Sequence, residues 1–305
     1  MCDNESDTSR SSGSDTESLN KSRKKLKKIL SPDRRTRDAE KNELERRKRI
    51  EEKQKLYNQL IVQENQAQSE QVNQVVLDFD KESKKILVEV NKEFVKHLKP
   101  HQVEGIKFLF NCTIESVERL TKHNHSSGCI LAHTMGLGKT FQVISFLHTI
   151  MTNPLIKDSI RCVLIIVPLN VIQNWANEFE KWFDECGITK EIEVYKDFYN
   201  DKTSDARKAT LKRWKQSGGI LLCTNSLFNN CLKKSKNTKQ SCISKIKEYL
   251  LNPGPDMVII DEGHLLKNEQ GVFNKNLSQI ATLRRVILTG TPLQNNLGEY
   301  YTMVR

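Results

Sequence analysis

Short apolar runs recur from residue 129 onward, and most of them are rich in β-branched residues. The runs are Cys129–Ala132, Arg161–Val167, Gly219–Cys223, Met257–Ile260 and Arg284–Leu288. Each is apolar at consecutive positions, which is typical of a strand with both faces buried. The pattern therefore predicts buried strands rather than the half-exposed strands of an antiparallel sheet.

Segments with helical spacing separate these runs. They are Phe141–Met151, Asn174–Trp182, Ala206–Lys215 and Ile243–Leu251, and an earlier helix begins at Pro100. Buried strands that alternate with helices predict an α/β fold, a parallel sheet flanked by helices. Ligands of such sheets bind beyond the carboxyl ends of the strands. Polar clusters follow several of the runs, so chemistry is expected at that edge.

The composition changes twice before this region. Residues 1–37 are predicted to be a disordered tail, first rich in Ser and acidic residues and then basic from Lys21 onward. Residues 38–80 are predicted to form a charged helical arm or linker, and residues 81–305 the globular lobe. The Lys21–Lys28 cluster indicates a nuclear import signal or a nucleic-acid patch. Glu and Arg interleave over Asp38–Lys55, which favours the charged face of a solvent-exposed helix.

Charge and cysteine usage narrow the class of protein. The chain has 305 residues and a net charge of +11, which favours an acidic partner such as nucleic acid but also serves solubility. No run approaches the roughly 18 apolar residues of a membrane span, and the N-terminus does not resemble a secretion signal. We expect an intracellular protein with no membrane partner. The eight cysteines include no C-x-x-C pair, so neither zinc nor disulfides are expected.

A glycine-rich turn lies between the first apolar run and the helix that follows it. Its residues are His133, Thr134, Met135, Gly136, Leu137, Gly138, Lys139 and Thr140. A loop between strand and helix points backbone N–H groups and a helix N-terminus at one place, which suits a polyphosphate. Lys139 would reach the terminal phosphates, and the Thr140 hydroxyl would be a ligand of Mg²⁺. The pattern G-x-x-x-x-G-K-[ST] is broken only at His133, although a lone Gly-Lys-Thr can also be a turn that ends a strand.

Gln102 lies in the first turn of the helix that begins at Pro100. A glutamine amide both donates and accepts hydrogen bonds, so it can recognise the edge of adenine. Surface glutamines are common, and this prediction depends on the phosphate loop that follows in the chain.

Two further clusters follow buried runs. Asp261 would hold Mg²⁺ through its water shell, and Glu262 would accept a proton from the attacking water. An acidic turn is the alternative for such a pair on its own. Thr289 and Thr291 follow the last run, where their hydroxyls would sense the terminal phosphate and signal to a moving element. In isolation, Thr-Gly-Thr-Pro is only a turn.

The order of these motifs resembles the first, RecA-like lobe of the superfamily-two helicases. The matching residues are Gln102, the Gly-Leu-Gly-Lys-Thr that ends at Thr140, Asp261-Glu-Gly-His264 and Leu288-Thr-Gly-Thr-Pro292. The run Leu288–Asn296 narrows the resemblance to the Swi/Snf-type DNA translocases. Ala132–Thr140, Asn174–Trp182 and Pro253–His264 are similar to the ATRX chromatin remodellers, which also carry histidine at the position of His133. The resemblance covers residues 94–305.

This resemblance implies hydrolysis of ATP with Mg²⁺, coupled to movement along double-stranded DNA in nuclear chromatin, with histones or histone chaperones as further partners. It implies that the loop His133–Thr140 binds the nucleotide and that Gln102 contacts adenine. Asp261 and Glu262 would then serve the metal and the water. Coupling of hydrolysis to motion is implied for His264, Thr289 and Thr291. Loops at Pro168–Asn170 and Thr224–Ser226 would follow the DNA backbone, although the second lacks the aromatic residue common in relatives.

The resemblance further implies a second lobe beyond Arg305 that carries the family's arginine residues. Without it, this lobe is expected to bind ATP and to turn it over poorly. The cysteine-rich histone-reading module of ATRX proteins has no counterpart in the cysteine spacing here. A non-catalytic nuclear nucleic-acid-binding protein, with the lobe as an ATP-binding scaffold, is the alternative from another class. An RNA helicase of the same superfamily is a third hypothesis, against which the run Leu293–Asn296 argues.

Overall fold

A computed structural model describes residues 34–65, 74–122, 127–188, 191–233, 239–263 and 271–290, and in the first helix it describes side chains only at residues 37, 38 and 40–56. The chain divides into two compact units, Met1–Glu51 and Glu52–Arg305. The helices are α1 Arg34–Asn65, α2 Lys92–His97, α3 Pro100–Thr113, α4 Val117–Lys122, α5 Lys139–Thr152, α6 Ile172–Glu185, α7 Ser204–Ser217, α8 Asn225–Leu232, α9 Gln240–Leu250 and α10 Val272–Leu277, with a 3₁₀ helix at Lys196–Asn200. The strands are β1 Val76–Phe79, β2 Ile86–Glu89, β3 Cys129–Leu131, β4 Cys162–Val167, β5 Val194–Tyr195, β6 Gly219–Thr224, β7 Met257–Ile260 and β8 Arg285–Leu288.

Six of the strands form one parallel sheet in the order β3-β8-β7-β4-β6-β5. The central strand β4 pairs with β6 on one side and β7 on the other, with Val167 opposite Thr224 and Ile166 opposite Ile260. The predicted class, a parallel α/β sheet flanked by helices, is confirmed. Each of the five apolar runs forms a strand, and each predicted helical segment lies within a helix except at Leu251, which is the C-cap of α9.

Alternate residues of the central strand enter two different cores. Val163, Ile165 and Val167 pack in a cluster with side chains of α3, α5 and α6. Cys162, Leu164 and Ile166 pack in a second cluster with side chains of α7, α8, α9 and α10. Burial on both faces explains why β4 is apolar at every position rather than at alternate positions.

An antiparallel pair, β1 and β2, precedes the large sheet. Its first strand lies before residue 81, where the sequence predicted the globular lobe to begin, and all four of its residues are buried. One of them is Asp78, which is 1% exposed. Its Oδ2 accepts a hydrogen bond from the backbone N–H of Val117 at 2.7 Å, and its Oδ1 accepts one from Lys53 of α1. A buried carboxylate needs such partners, so this strand depends on residues distant in sequence.

Burial also fixes the chemistry of the cysteines in the second core. Cys223 and Cys231 are buried there, and burial raises the pKa of Cys231 to about 11. These two side chains are therefore protonated thiols at neutral pH, which suits the packing role predicted for them. Within the described ranges, no helix is long and apolar enough to cross a membrane.

His148 should make stability depend on pH. The side chain is 3% exposed, its Nε2 lies 2.8 Å from Glu191 Oε2, and burial lowers its pKa although Glu191 opposes the change. The unfolded chain then binds a proton more readily than the folded chain, so the free energy of unfolding should fall as pH drops through the ordinary histidine value of about 6.5.

Urea unfolding between pH 7.5 and 5.5 measures this slope. His148→Gln should reduce the slope without abolishing it, because burial also lowers the pKa of His133. An unchanged slope in the variant would show that protonation of His148 does not contribute.

Candidate nucleotide-binding site

The sheet brings three loops to one edge. β8 lies between β3 and β7, with Leu131 opposite Leu288 and Ile260 opposite Ile287. The backbone N–H of Thr289 continues the pairing by donating to the carbonyl of Leu131 at 3.2 Å. The glycine-rich loop, the acidic pair and Thr289 therefore emerge side by side at the carboxyl ends of the strands.

Two glycines permit close contact between these loops. A Cβ built on Gly263 would lie 2.4 Å from Ile287 Cγ2 and 3.8 Å from Thr289 Cβ. A Cβ built on Gly290 would lie 2.7 Å from Cγ of Met135. Larger residues at either position would push apart the three segments that the sequence predicted to act together.

Lys139 lies at the centre of this group. Its Nζ donates to the backbone carbonyls of His133 at 2.9 Å and Thr134 at 3.2 Å. Burial lowers the pKa of Lys139, and the nearby carboxylates of Asp261 and Glu262 oppose that lowering. The structure thus brings together the amine and the two acidic groups that the sequence predicted to share one site.

The carboxylate of Asp261 is held at both oxygens. Oδ2 accepts a hydrogen bond from Nε1 of Trp175 at 2.8 Å, and Oδ1 accepts one from the backbone N–H of Glu262 at 2.9 Å. Trp175 is 2% exposed in the first turn of α6, so its indole is a fixed donor. Glu262 itself has φ of 55°, a left-handed conformation that is unfavourable for glutamate. Strain of this kind concentrates at functional sites.

Three side chains converge on the carbonyl oxygen of Leu137. Nε2 of His101 and Nε2 of Gln102 lie 3.3 Å from it, and Nε2 of Gln142 lies 3.2 Å from it. Gln102 is engaged at its other end as well, because its Oε1 accepts from the backbone N–H of Lys99 at 2.9 Å. An adenine edge would therefore have to compete with both bonds for the amide, and the adenine contact of Gln102 stays a prediction.

His133 is a neutral side chain at pH 7. Burial is the main cause of its lowered pKa, and electrostatic interactions with His101 and Lys139 add to the effect. Its Nδ1 lies 3.3 Å from Nε2 of Gln142. An amide nitrogen only donates, so Nδ1 accepts and the ring carries its proton on Nε2.

The N-terminus of α5 suits an anion. The helix has 14 residues, and its N-cap is Gly138 with φ of 70°, which has no side chain to cap the first backbone N–H groups. The first turn contains Lys139 and Thr140 and no acidic residue. Uncapped N–H groups together with a lysine fit the polyphosphate of a nucleotide.

The remaining predicted residues lie at the same edge or outside the described residues. Pro168–Asn170 directly follows β4, and Leu169 there is 68% exposed. Thr224 ends β6 and caps α8, since its hydroxyl accepts from the backbone N–H of Leu227 at 3.2 Å. His264 and Thr291 lie outside the described residues.

Sequence reasoning missed three residues of this site. Trp175 and Gln142 lie in the first turns of α6 and α5, and His101 lies beside Gln102. Gln142 could have been noticed in the sequence, because it is a polar residue whose neighbouring positions on the helix are apolar. The other two were inconspicuous, since an aromatic residue at a helix start is most simply explained as packing.

A parallel α/β sheet whose carboxyl edge carries a glycine-rich loop, a helix N-terminus and an acidic pair is the architecture of a nucleotide-binding domain. Residues 101–305 match the model of the SNF2-related domain. The chain belongs to this family, the helicase-like ATPase domain of proteins similar to chromatin remodellers.

The curated relatives agree with the ATRX resemblance, which is confirmed. The chain is 42% identical over 283 residues to the "Transcriptional regulator ATRX homolog" of Drosophila melanogaster, an alignment that covers 92% of this chain and 21% of that protein. It is 45% identical over 231 residues to the "Transcriptional regulator ATRX" of Homo sapiens, covering 75% of this chain and 9% of that protein. It is 39% identical over 217 residues to "Protein CHROMATIN REMODELING 20" of Arabidopsis thaliana, covering 71% and 14%. The chain thus spans a minor part of each relative.

Among solved structures, the chain is similar to the "Sulfolobus solfataricus SWI2/SNF2 ATPase core in complex with dsDNA". The identity is 22% and the TM-score 0.45, with 72% of this chain and 36% of that chain covered. The fold of this chain rests on its own sheet topology, and that likeness adds nothing to it.

Removing the indole donor should loosen Asp261. Trp175→Phe keeps an aromatic ring but deletes the bond to Oδ2, and a hydrogen bond to a charged group is worth roughly 1.5–3 kcal/mol. We expect a loss of about that size in the free energy of unfolding, measured by urea titration with circular dichroism.

Trp182→Phe on the same helix is the matched control. Its Nε1 donates to Glu178 one turn earlier, at a partly exposed position, and its ring stacks on Phe141 at 3.8 Å between centroids. Phenylalanine retains the stacking, so this variant should lose under about 1 kcal/mol. Equal losses in the two variants would contradict a special role for the bond to Asp261.

Proposed function

We propose that the lobe binds Mg²⁺-ATP at His133–Thr140 and hydrolyses it to move along double-stranded DNA when a second lobe completes it. The observation that carries this proposal is the convergence of Lys139, Asp261 and Glu262 at the carboxyl edge of the sheet, next to the uncapped N-terminus of α5. A lysine and two carboxylates in one place have no packing purpose. They suit a ligand that is both anionic and bound to a metal.

Each residue has a distinct part in this proposal. Lys139 leaves the carbonyls of His133 and Thr134 and binds the terminal phosphates as a point charge. Thr140 and Asp261 hold the metal, and Mg²⁺ when bound neutralises charge that develops on the phosphates. Glu262 accepts the proton of the attacking water.

Coupling to movement is assigned to residues that follow these groups. Thr289 is buried beside Gly263, so a shift of the acidic segment reaches β8 through direct packing. The same coupling role is proposed for His264 and Thr291, in keeping with the family resemblance. Discrete repacking of neighbouring segments is how a small change at a phosphate reaches a moving part.

The DNA partner and the nuclear location follow from charge and from the relatives. The net charge of +11 suits a polyanion. The basic cluster Lys21–Lys28 is proposed as an import signal, and relatives named as transcriptional regulators agree with a nuclear location.

Two substitutions separate binding from hydrolysis. Lys139→Ala should weaken ATP binding by roughly tenfold to a hundredfold, because the variant has no ammonium group to pair with the phosphates. Glu262→Gln should retain binding but slow hydrolysis by roughly 10²–10⁴-fold. Titration with a fluorescent ATP analogue measures the first effect. A single-turnover assay with excess protein, double-stranded DNA and a supplied second lobe measures the second.

Lys157→Ala, an exposed lysine beyond the C-terminus of α5, is the matched control and should behave as the parent chain. Unchanged ATP binding in Lys139→Ala would refute the phosphate-loop assignment. Binding with no hydrolysis, even with DNA and a second lobe supplied, would favour the alternative of a non-catalytic nucleic-acid-binding protein with an ATP-binding scaffold.

Residues 21–49, referred to here as the basic arm, are proposed to bind the phosphates of DNA. Deleting residues 21–49 should flatten the dependence of DNA affinity on salt by roughly 0.9 in logarithmic slope for each phosphate that the arm neutralises. Deleting residues 1–20, which are mainly Ser and acidic residues, should leave the slope unchanged. Fluorescence anisotropy of labelled duplex at several salt concentrations measures both. An unchanged slope after the first deletion would assign phosphate binding to the lobe.

A further inference from the structure

We infer that Gln142 is a positioning residue for the phosphate loop. Together with His101 and Gln102, it holds the peptide between Leu137 and Gly138 in the orientation that turns the Gly138 N–H toward the phosphates. The inference rests on the nucleotide binding proposed above, and it explains how this loop is shaped before a nucleotide arrives.

The hydrogen-bond donors come from two helices. His101 and Gln102 approach the Leu137 carbonyl from the first turn of α3, and Gln142 approaches it from α5. A carbonyl oxygen has two lone pairs, so three donors within 3.3 Å saturate it. An exposed loop carbonyl would ordinarily be left to water, and this one is held by protein instead.

The planar peptide links the position of the Leu137 carbonyl to the direction of the Gly138 N–H. In a planar trans peptide, the carbonyl of one residue and the N–H of the next point to opposite sides. Fixing the Leu137 carbonyl toward α3 and α5 therefore turns the Gly138 N–H away from these helices. Gly138 has a left-handed φ of 70°, and a Cβ there would lie 2.3 Å from Nε2 of Gln102. Only glycine therefore fits at this position.

The burial of Gln142 indicates a purpose other than stability. The side chain is 0% exposed, and its Oε1 has no hydrogen-bond partner among the described residues. An unsatisfied buried amide oxygen is destabilising. Reversing the amide would place that oxygen against the Leu137 carbonyl, so the observed orientation keeps the donor where the loop needs it.

Gly105 independently supports the positioning role of Gln142. It lies within α3, where glycine is a poor helix former. A Cβ at this position would lie 1.9 Å from Oε1 of Gln142 and 3.2 Å from Cε1 of His133. The absence of a side chain at Gly105 therefore leaves the space that the Gln142 side chain occupies beside the loop.

Gln142→Leu tests the inference, because it keeps the shape and removes both polar atoms. Affinity for ATP and for inorganic tripolyphosphate should fall by the same factor, about fivefold for one hydrogen bond of ordinary strength. Gln142→Glu should lose more, since a carboxylate oxygen then faces a carbonyl. The melting temperature of nucleotide-free Gln142→Leu should equal or exceed that of the parent chain, because the unsatisfied oxygen is gone.

A spectroscopic measurement reports on the peptide itself. In the parent chain the backbone amide resonance of Gly138 should shift when tripolyphosphate is added, and in Gln142→Leu the shift should shrink. Gln216→Leu, at an exposed position in the last turn of α7, is the matched control and should show the parental shift and affinity.

The outcomes separate this inference from the proposed function. If Lys139→Ala loses binding while Gln142→Leu binds like the parent chain, the positioning role is wrong and the nucleotide site stands. If neither variant loses binding, both are wrong. If Gln142→Leu loses affinity only in proportion to a large drop in melting temperature, its role is structural and the inference fails. Gly105→Ala, which displaces Gln142 from outside the loop, should reproduce the loss of affinity.

Discussion

The parallel pairing of β8 with both β3 and β7 is the interaction on which the candidate site depends. It places the glycine-rich loop and the acidic pair one intervening strand apart, although a long stretch of chain separates them. Neighbouring strands lie about 4.8 Å apart, so side chains from the two outer strands can meet above the middle one. Both faces of the sheet are buried, and a slip of one residue would exchange the two cores. The register that assembles the site is therefore fixed by packing far from it.

The first turns of two helices contribute further side chains to the site formed at the strand ends. In an α/β sheet, a helix that follows a strand starts at the carboxyl edge, and α5 and α6 bring Gln142 and Trp175 there in their first turns. The two side chains act on different targets: Gln142 bonds the Leu137 carbonyl, and Trp175 bonds a charged carboxylate. In both cases a buried donor from one helix orients a group on an adjacent loop. Two groups proposed to face a ligand, the Asp261 carboxylate and the peptide before Gly138, are thus held by neutral side chains that would not touch it.

The sequence was sufficient for the parts of the fold that local pattern decides. Consecutive apolar positions revealed five of the six strands of the large sheet, and the glycine-rich and acidic motifs were found where such strands end. β1 was missed because Asp78 interrupts its apolar pattern, and only Lys53 and the Val117 N–H, both distant in the chain, make that carboxylate tolerable in the core. β5 was missed because two residues are too short for any periodicity.

Within the site, too, some residues can be predicted from local sequence and others depend on contacts between distant segments. Lys139, Asp261 and Glu262 could be named as candidates because a phosphate and a metal would demand those charges, and few other residue types would serve. The residues proposed to position the loop are less constrained in type, since any donor of suitable length can bond a backbone carbonyl. Their identity becomes visible only when the carbonyl of Leu137 and its three donors are seen together. A neutral glutamine buried without a partner for its oxygen is more informative than an exposed charge, because its energetic cost must be offset by what its nitrogen holds in place.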